Sequence, residues 1–206
     1  MSGLPFRDRE DAGRRLAEAL ARYRGMPGLV VLALPRGGVP VGFEVARALG
    51  VPLDVFVVRK LGAPGHEELA MGAIASGGIR VVSPEILAAL RIPPETVDQV
   101  AALEAPELRR REAVYRGGRP PLDVTNRPVL LVDDGLATGA TMRAAVESLR
   151  RRGVGRLIVA APVGAAPTCA QLERVADEVI CLYSPDPFHA VGAYYENFEQ
   201  TGVHGA

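Results

Sequence analysis

Five short stretches of this 206-residue chain are apolar at nearly every position: LVVLALP at 29–35, LDVFVV at 53–58, VLLV at 129–132, RLIVAAPV at 156–163 and EVICLY at 178–183. A strand buried on both faces reads as such a continuous run, because neither face meets water and no polar alternation is needed. The intervening segments change period. Residues 8–23 place Ala12, Leu16, Ala19, Leu20 and Tyr23 at helical spacing, with acids early and Gly25 beyond the end. VPVGFEVARALG is a second helical pattern closing at Gly50, and MRAAVESLRRRG a third, with Met142, Ala145, Val146 and Leu149 on one face and Gly153 as its cap. A further helical segment falls near 167–176. Buried strands alternating with helices predict a doubly wound α/β fold, a parallel sheet covered on both faces.

Two segments break this rhythm. Residues 62–82 are glycine-rich and predict a mobile loop leading into a short hairpin, since AMGAIA and IRVV flank SGG. Residues 84–118 are rich in helix formers and predict a helical elaboration, whose run RRRE at 109–112 reads as a solvated face. The length suits one domain across 1–206, with these two additions.

Composition narrows the partners more than the fold. Lys plus Arg equals Asp plus Glu at 24 each, which argues against a nucleic-acid or anionic-membrane partner and makes any anion site local. Cys169 and Cys181 form no C-x-x-C pair, so neither a disulfide framework nor a zinc site is indicated, and a reducing cytoplasm fits. The opening MSGLPFRDRED lacks a signal-peptide apolar core, and LIVAAPVGAA is too short to span a bilayer, so neither export nor membrane insertion is expected.

Ligands of open parallel sheets gather beyond the carboxyl ends of the strands. Three strand ends carry suggestive loops: PRGGVP, RKLGAPG and DDGLATGAT. In the third, Gly135 and Gly139 let backbone approach a ligand, Ala137 and Ala140 add little bulk, and Thr138 and Thr141 supply hydroxyls at the start of a helix. Free amides and the helix dipole there favour an anion such as phosphate. Asp133 and Asp134 would repel that phosphate, so they face either vicinal hydroxyls or a cation. A phosphorylated sugar with a free diol satisfies both halves of the loop. The lysine of a G-x-x-x-x-G-K-[ST] loop is absent. Turn and cap formation explains each residue singly but not the thirteen together.

VLLVDDGLATGAT resembles the phosphoribosyl pyrophosphate (PRPP) signature of type I phosphoribosyltransferases: four apolar positions, two acids and a T-G-x-T ending. LPRGGVPV, VVRKLGAPG, ELAMGAI and FHAVGAYYENF follow the order of a bacterial group of that family without an assigned acceptor, over about residues 6 to 200. The resemblance implies a magnesium-dependent enzyme that transfers ribose 5-phosphate from PRPP to a nitrogen nucleophile, a nucleobase-like small molecule, and that acts as a homodimer. It implies that Asp133 and Asp134 hold the ribose hydroxyls and lie near magnesium, which binds mainly through PRPP or pyrophosphate oxygens. Residues Gly135, Ala137, Thr138, Gly139, Ala140 and Thr141 would grip the 5-phosphate, and Arg36, Gly37 and Gly38 the pyrophosphate. Arg59 and Lys60 would meet charge on the leaving group; strand alternation lets one of the two reach it, with Lys60 favoured. The alternative is a regulator that binds PRPP or a nucleotide without turnover. His66, His189 and His204 form no metal-ligand spacing, and Tyr183, Phe188, Tyr194, Tyr195 and Phe198 are open to either base stacking or core packing.

Overall fold

The structure, a computed structural model, describes residues 5–199, so His204 lies outside it. Helix α1 (Arg9–Ala19) starts where the Asp8 carboxylate accepts the Asp11 amide at 2.7 Å, satisfying one of the free donors of the first turn. It stops short of the 8–23 span, which continues as a 3-10 turn at Ala21–Tyr23. Strand β1 (Val30–Ala33) leads into α2 (Gly38–Leu49), which ends on Gly50 at φ 69°, a left-handed cap that glycine adopts without strain. Then come β2 (Leu53–Val55), β3 (Val58–Ala63), β4 (His66–Ala75), β5 (Ile79–Val82), α3 (Pro84–Ala89) and α4 (Pro94–Arg116). The chain closes with β6 (Val129–Val132), α5 (Ala140–Arg151), β7 (Leu157–Val163), α6 (Ala166–Leu172) and β8 (Glu178–Tyr183).

The main sheet is parallel, in the order β2-β1-β6-β7-β8, as a doubly wound fold requires. Its strands have two interior faces. Val30, Leu32, Val129, Leu131, Leu157 and Val159 pack with residues of α5 and α6, while Val31, Leu130, Val132, Ile158 and Ala160 pack with α1 and α2. The strand period of two sorts one apolar run into two cores.

Two expectations are corrected. LDVFVV is not one strand: β2 ends at Val55, Phe56 donates its amide to Ala33 O at 2.9 Å, and Val57 donates to the Ser76 hydroxyl at 2.8 Å. From there the chain joins a second sheet. In the glycine-rich 62–82 segment the expected hairpin forms, with Ala75 pairing Ile79 around SGG, but what precedes it is not a loop: β3 and β4 pair antiparallel, Ala63 with His66 across a tight turn, and with β5 make a three-stranded sheet. This sheet and the helices of the 84–118 elaboration share a separate apolar cluster that includes Leu61, Met71, Ile74, Val97 and Leu108. Glycine content signalled loop; pairing across the strands and burial of Leu61, Ala63, Met71, Ala73, Ile74 and Ala75 outweighed it. Among the described residues, no helix is long and apolar enough to cross a membrane.

Candidate active site

β1 and β6 are neighbours, and the chain departs from them in opposite directions, β1 toward β2 and β6 toward β7 and β8. Between them lies the switch point at which two loops diverge and leave a crevice. Both loops belong to the candidate set. The first runs from β1 to α2 through a cis Pro35–Arg36 peptide. Arg36 is exposed at its crest and has no ion-pair partner among the described residues. The second runs from β6 to α5.

The two loops are pressed together. A Cβ on Gly37 would lie 1.9 Å from Asp134 Oδ2, and one on Gly38 would lie 2.8 Å from Val132 O and 3.0 Å from Asp133 Cα. Glycine at 37 and 38 is therefore the condition for the basic loop to sit beside the acid pair.

In the second loop, Leu136 is buried and tied to β7 by its amide, which donates to Val163 O at 2.9 Å, while Ala137, Thr138, Ala140 and Thr141 are exposed. Its carbonyls are held from below: Thr168 Oγ1 donates to Ala137 O at 2.6 Å and Arg143 donates to Thr138 O at 3.0 Å. Gly139, at φ 68°, begins α5 with no side-chain cap. At the start of α5 the Ala140 amide reaches only the Thr138 hydroxyl, at 3.5 Å, a long contact that leaves this turn suited to an anion. Two glycines act differently from expectation, since a Cβ at Gly135 would strike Val191 and one at Gly139 would strike Thr168. Their smallness serves packing of the protein against itself, not only approach of a ligand.

The acids are not equivalent. Asp133 Oδ1 accepts the Asp134 amide at 2.8 Å. Burial first, and then the negative charge of Asp134, push the Asp133 carboxyl well above the ordinary range. Asp134 Oδ2 instead accepts Arg9 Nε at 2.7 Å, with only 10% of the arginine side chain and 13% of the aspartate exposed. Arg9 also lies 3.9 Å from the centroid of the Phe198 ring, and the Tyr195 hydroxyl donates to Asp134 O at 2.6 Å. The C-terminal aromatics therefore close around Asp134: Tyr194 and Tyr195 are buried with Phe6 and Val163.

Arg59 and Lys60 point to opposite faces of β3. Arg59 is ion-paired with Glu104, and Glu107 approaches it to 3.9 Å, both on α4. Lys60 is exposed, without an ion pair among the described residues, on the face shared with Val58, which packs on the main core. Of the histidines, His66 is exposed as the first residue of β4, just past the β3–β4 turn. Two residues that shape the site, Arg9 and Thr168, carried no signal in the sequence, and Tyr195 stood out there without a role at Asp134.

The raised Asp133 value has a stability consequence. Below about pH 4 the carboxyl is protonated whether folded or unfolded, so it contributes no difference. As pH rises, the unfolded chain releases its proton while the folded one keeps it, and stability falls until the folded value is passed. Asp133→Asn, which retains an oxygen for the Asp134 amide, is expected to raise Tm, with a gain that grows from pH 4 upward. Thermal unfolding measured across pH checks this; a loss at neutral pH would mean that Asp133 is ionised without penalty.

An open parallel sheet with a diacid strand end and a facing glycine loop at its switch point defines a doubly wound α/β protein. Residues 6–196 match the phosphoribosyl transferase domain model, and the chain belongs to that family. A Mycobacterium tuberculosis H37Rv protein, whose name assigns it only provisionally as a phosphoribosyl transferase, is 47% identical over 196 residues, 95% of this chain and 44% of that protein. The chain thus spans less than half of that relative's length. The bifunctional protein PyrR of Brevibacillus brevis is 31% identical over 99 residues, covering 46% of this chain and 55% of that protein. A crystal structure from Thermus thermophilus superimposes with a TM-score of 0.84 at 46% identity, covering 97% of this chain and 94% of the other.

Proposed function

We propose that the protein is a magnesium-dependent phosphoribosyltransferase that moves ribose 5-phosphate from PRPP to a nitrogen nucleophile, a nucleobase-like acceptor, and releases pyrophosphate. The observation that carries this reading is the contact of Gly37 and Gly38 with the acid pair, which brings the two loops that PRPP would bridge to one crevice. The exposed Thr138 and Thr141 hydroxyls and the amides of 137–141 would take the 5-phosphate, and Arg36 with the Gly37–Gly38 backbone the pyrophosphate. Asp133 and Asp134 would accept hydrogen bonds from the ribose diol. The protein is proposed to work as a cytoplasmic homodimer.

Magnesium fits the donor set only as a guest of the ligand. Two carboxylates, one of them engaged by Arg9, make no protein cage, and among the described residues no three His, Cys, Asp or Glu side chains form one. Magnesium commonly binds through one or two carboxylates, substrate phosphates and water, and would offset charge on the pyrophosphate.

Breaking the C1–oxygen bond of PRPP places positive charge on the sugar and negative charge on the departing pyrophosphate. The protein's part is to hold both ends fixed while that charge develops, and Arg36 and Lys60 are the exposed cations available for it. In this reading Arg59 anchors β3 to α4 and leaves Lys60 presented on the other face. Lys60→Ala is expected to lower kcat about a hundredfold, the loss of one charge-stabilising donor, with PRPP affinity changed less. Steady-state kinetics with a verified acceptor checks this, and an unchanged kcat removes Lys60 from the mechanism.

A second reading, a regulator that binds PRPP or a nucleotide without turnover, is favoured by the pairing of Arg9 with Asp134 and of Arg59 with Glu104. Those bonds withdraw charge from the crevice. Incubation with magnesium, PRPP and a panel of bases separates the two. Pyrophosphate release that depends on a base supports transfer; PRPP binding without release supports the regulator; release without any base indicates hydrolysis.

A further inference from the structure

Cys169 on α6 and Cys181 on β8 are both unoxidised, and the fold lays one sulfur 2.8 Å from the other. The site is built around them. A Cβ on Gly164 would stand 2.7 Å from the Cys169 sulfur and 2.9 Å from the Cys181 sulfur, so glycine at 164 clears the space that both occupy. Cys169 is held by the first turn of α6, where its amide donates to Ala165 O at 3.0 Å, and Cys181 by its register opposite Ala161 of β7. Neither sulfur has another cysteine in the chain to meet.

We propose that Cys169 and Cys181 are a modification site, a dithiol that hydrogen peroxide converts to a reversible intramolecular disulfide joining α6 to β8. In the first step the Cys169 thiolate attacks one peroxide oxygen, the O–O bond breaks, and the departing hydroxide takes up a proton to become water; Cys169 is left as a sulfenic acid. In the second, the Cys181 sulfur attacks the Cys169 sulfur, the S–O bond breaks, and a second water leaves with the Cys181 proton. Two thiols lose two electrons and the peroxide becomes two waters. A hydrogen bond from the Cys181 thiol lowers the Cys169 value against the opposing effect of burial, and the same pairing raises Cys181, in keeping with Cys169 as the attacking sulfur.

The cross-link would reach the ligand loop through one residue. Thr168, adjacent to Cys169, donates to Ala137 O, and its methyl group fills the space beside Gly139. A disulfide requires an S–S separation of about 2.05 Å, so oxidation draws the start of α6 toward β8 and alters the support of residues 137–139.

The test begins with the native reduced protein, treated with hydrogen peroxide and then quenched in denaturant with a thiol alkylator. The expected product has lost two hydrogens, carries no alkyl group at either cysteine, yields a linked Cys169–Cys181 peptide pair, and returns to the dithiol with a reducing agent. Cys181→Ser is expected to stop at an oxidised Cys169 without the link. Both thiols alkylated after treatment, or sulfinic acid without a linked peptide, would overturn the modification. Amide hydrogen exchange of oxidised and reduced protein then reads the coupling: a change at 137–141 that is absent in peroxide-treated Cys181→Ser supports it, and identical exchange there overturns it. Neither readout depends on PRPP turnover, so the inference stands or falls apart from the proposed function.

Discussion

Gly37→Ala is expected to weaken PRPP binding about a thousandfold, roughly 4 kcal/mol, while leaving the protein folded. The backbone at Gly37 is right-handed helical, φ −60° and ψ −33°, a conformation that alanine accepts without strain. The obstacle is Asp134, whose Oδ2 would lie 1.9 Å from the new methyl carbon. Since Arg9 holds that same oxygen at 2.7 Å, the carboxylate cannot swing aside without breaking the ion pair. Either Asp134 leaves the position assigned to the diol or the Arg36 loop withdraws from the crevice, and both outcomes dismantle the site. Calorimetric titration with PRPP and magnesium, alongside circular dichroism to confirm folding, provides the measurement. Binding within a fewfold of the unmodified protein would mean that the two loops do not act on one ligand.

A loss of stability of about 3–5 kcal/mol is expected for Arg116→Ala, a site remote from the chemistry. Arg116 lies at the last turn of α4, nearly enclosed, with Nε 2.8 Å from Asp54 Oδ1 and a terminal nitrogen 3.1 Å from Glu112 Oε1. It also donates to Val55 O at 3.1 Å, and Asp54 Oδ2 accepts the Leu122 amide at 2.9 Å. This one side chain therefore joins the helical elaboration to the edge strand of the main sheet. Its removal leaves a buried carboxylate with no cationic partner, which costs far more than the loss of an exposed pair. A chain of this length loses about 2–4 °C of Tm per kcal/mol, so thermal and denaturant unfolding resolve the effect. A loss under about 1 kcal/mol would place the pair in water.

Much of the fold was legible because burial on both faces of a parallel strand leaves a local trace. VLLV, LVVLAL and RLIVAAPV could be recognised without their neighbours, and Gly50 and Gly153 marked the ends of the helices before them. The candidate loops were legible for the same reason. Acids, glycines and threonines in thirteen consecutive positions state a local chemistry, and strand topology places such loops at one edge of the sheet. The 53–58 run was misread because an apolar residue records that it is buried, not which sheet buries it; only the Ser76 bonds to Val57 reveal the change of sheet.

Composition and order of residues were thus sufficient for the α/β class, for most strands and helices of the parallel sheet, and for the candidate loops at its carboxyl ends, but not for the second sheet. Tertiary structure alone decided which charges remain available in the crevice. Asp134 meets Arg9 across 125 positions and Arg59 meets Glu104 across 45, while Cys169 meets Cys181 from different elements. No periodicity records such pairs, because each forms only after the layers have packed, and the energy that selects it depends on the burial that packing creates.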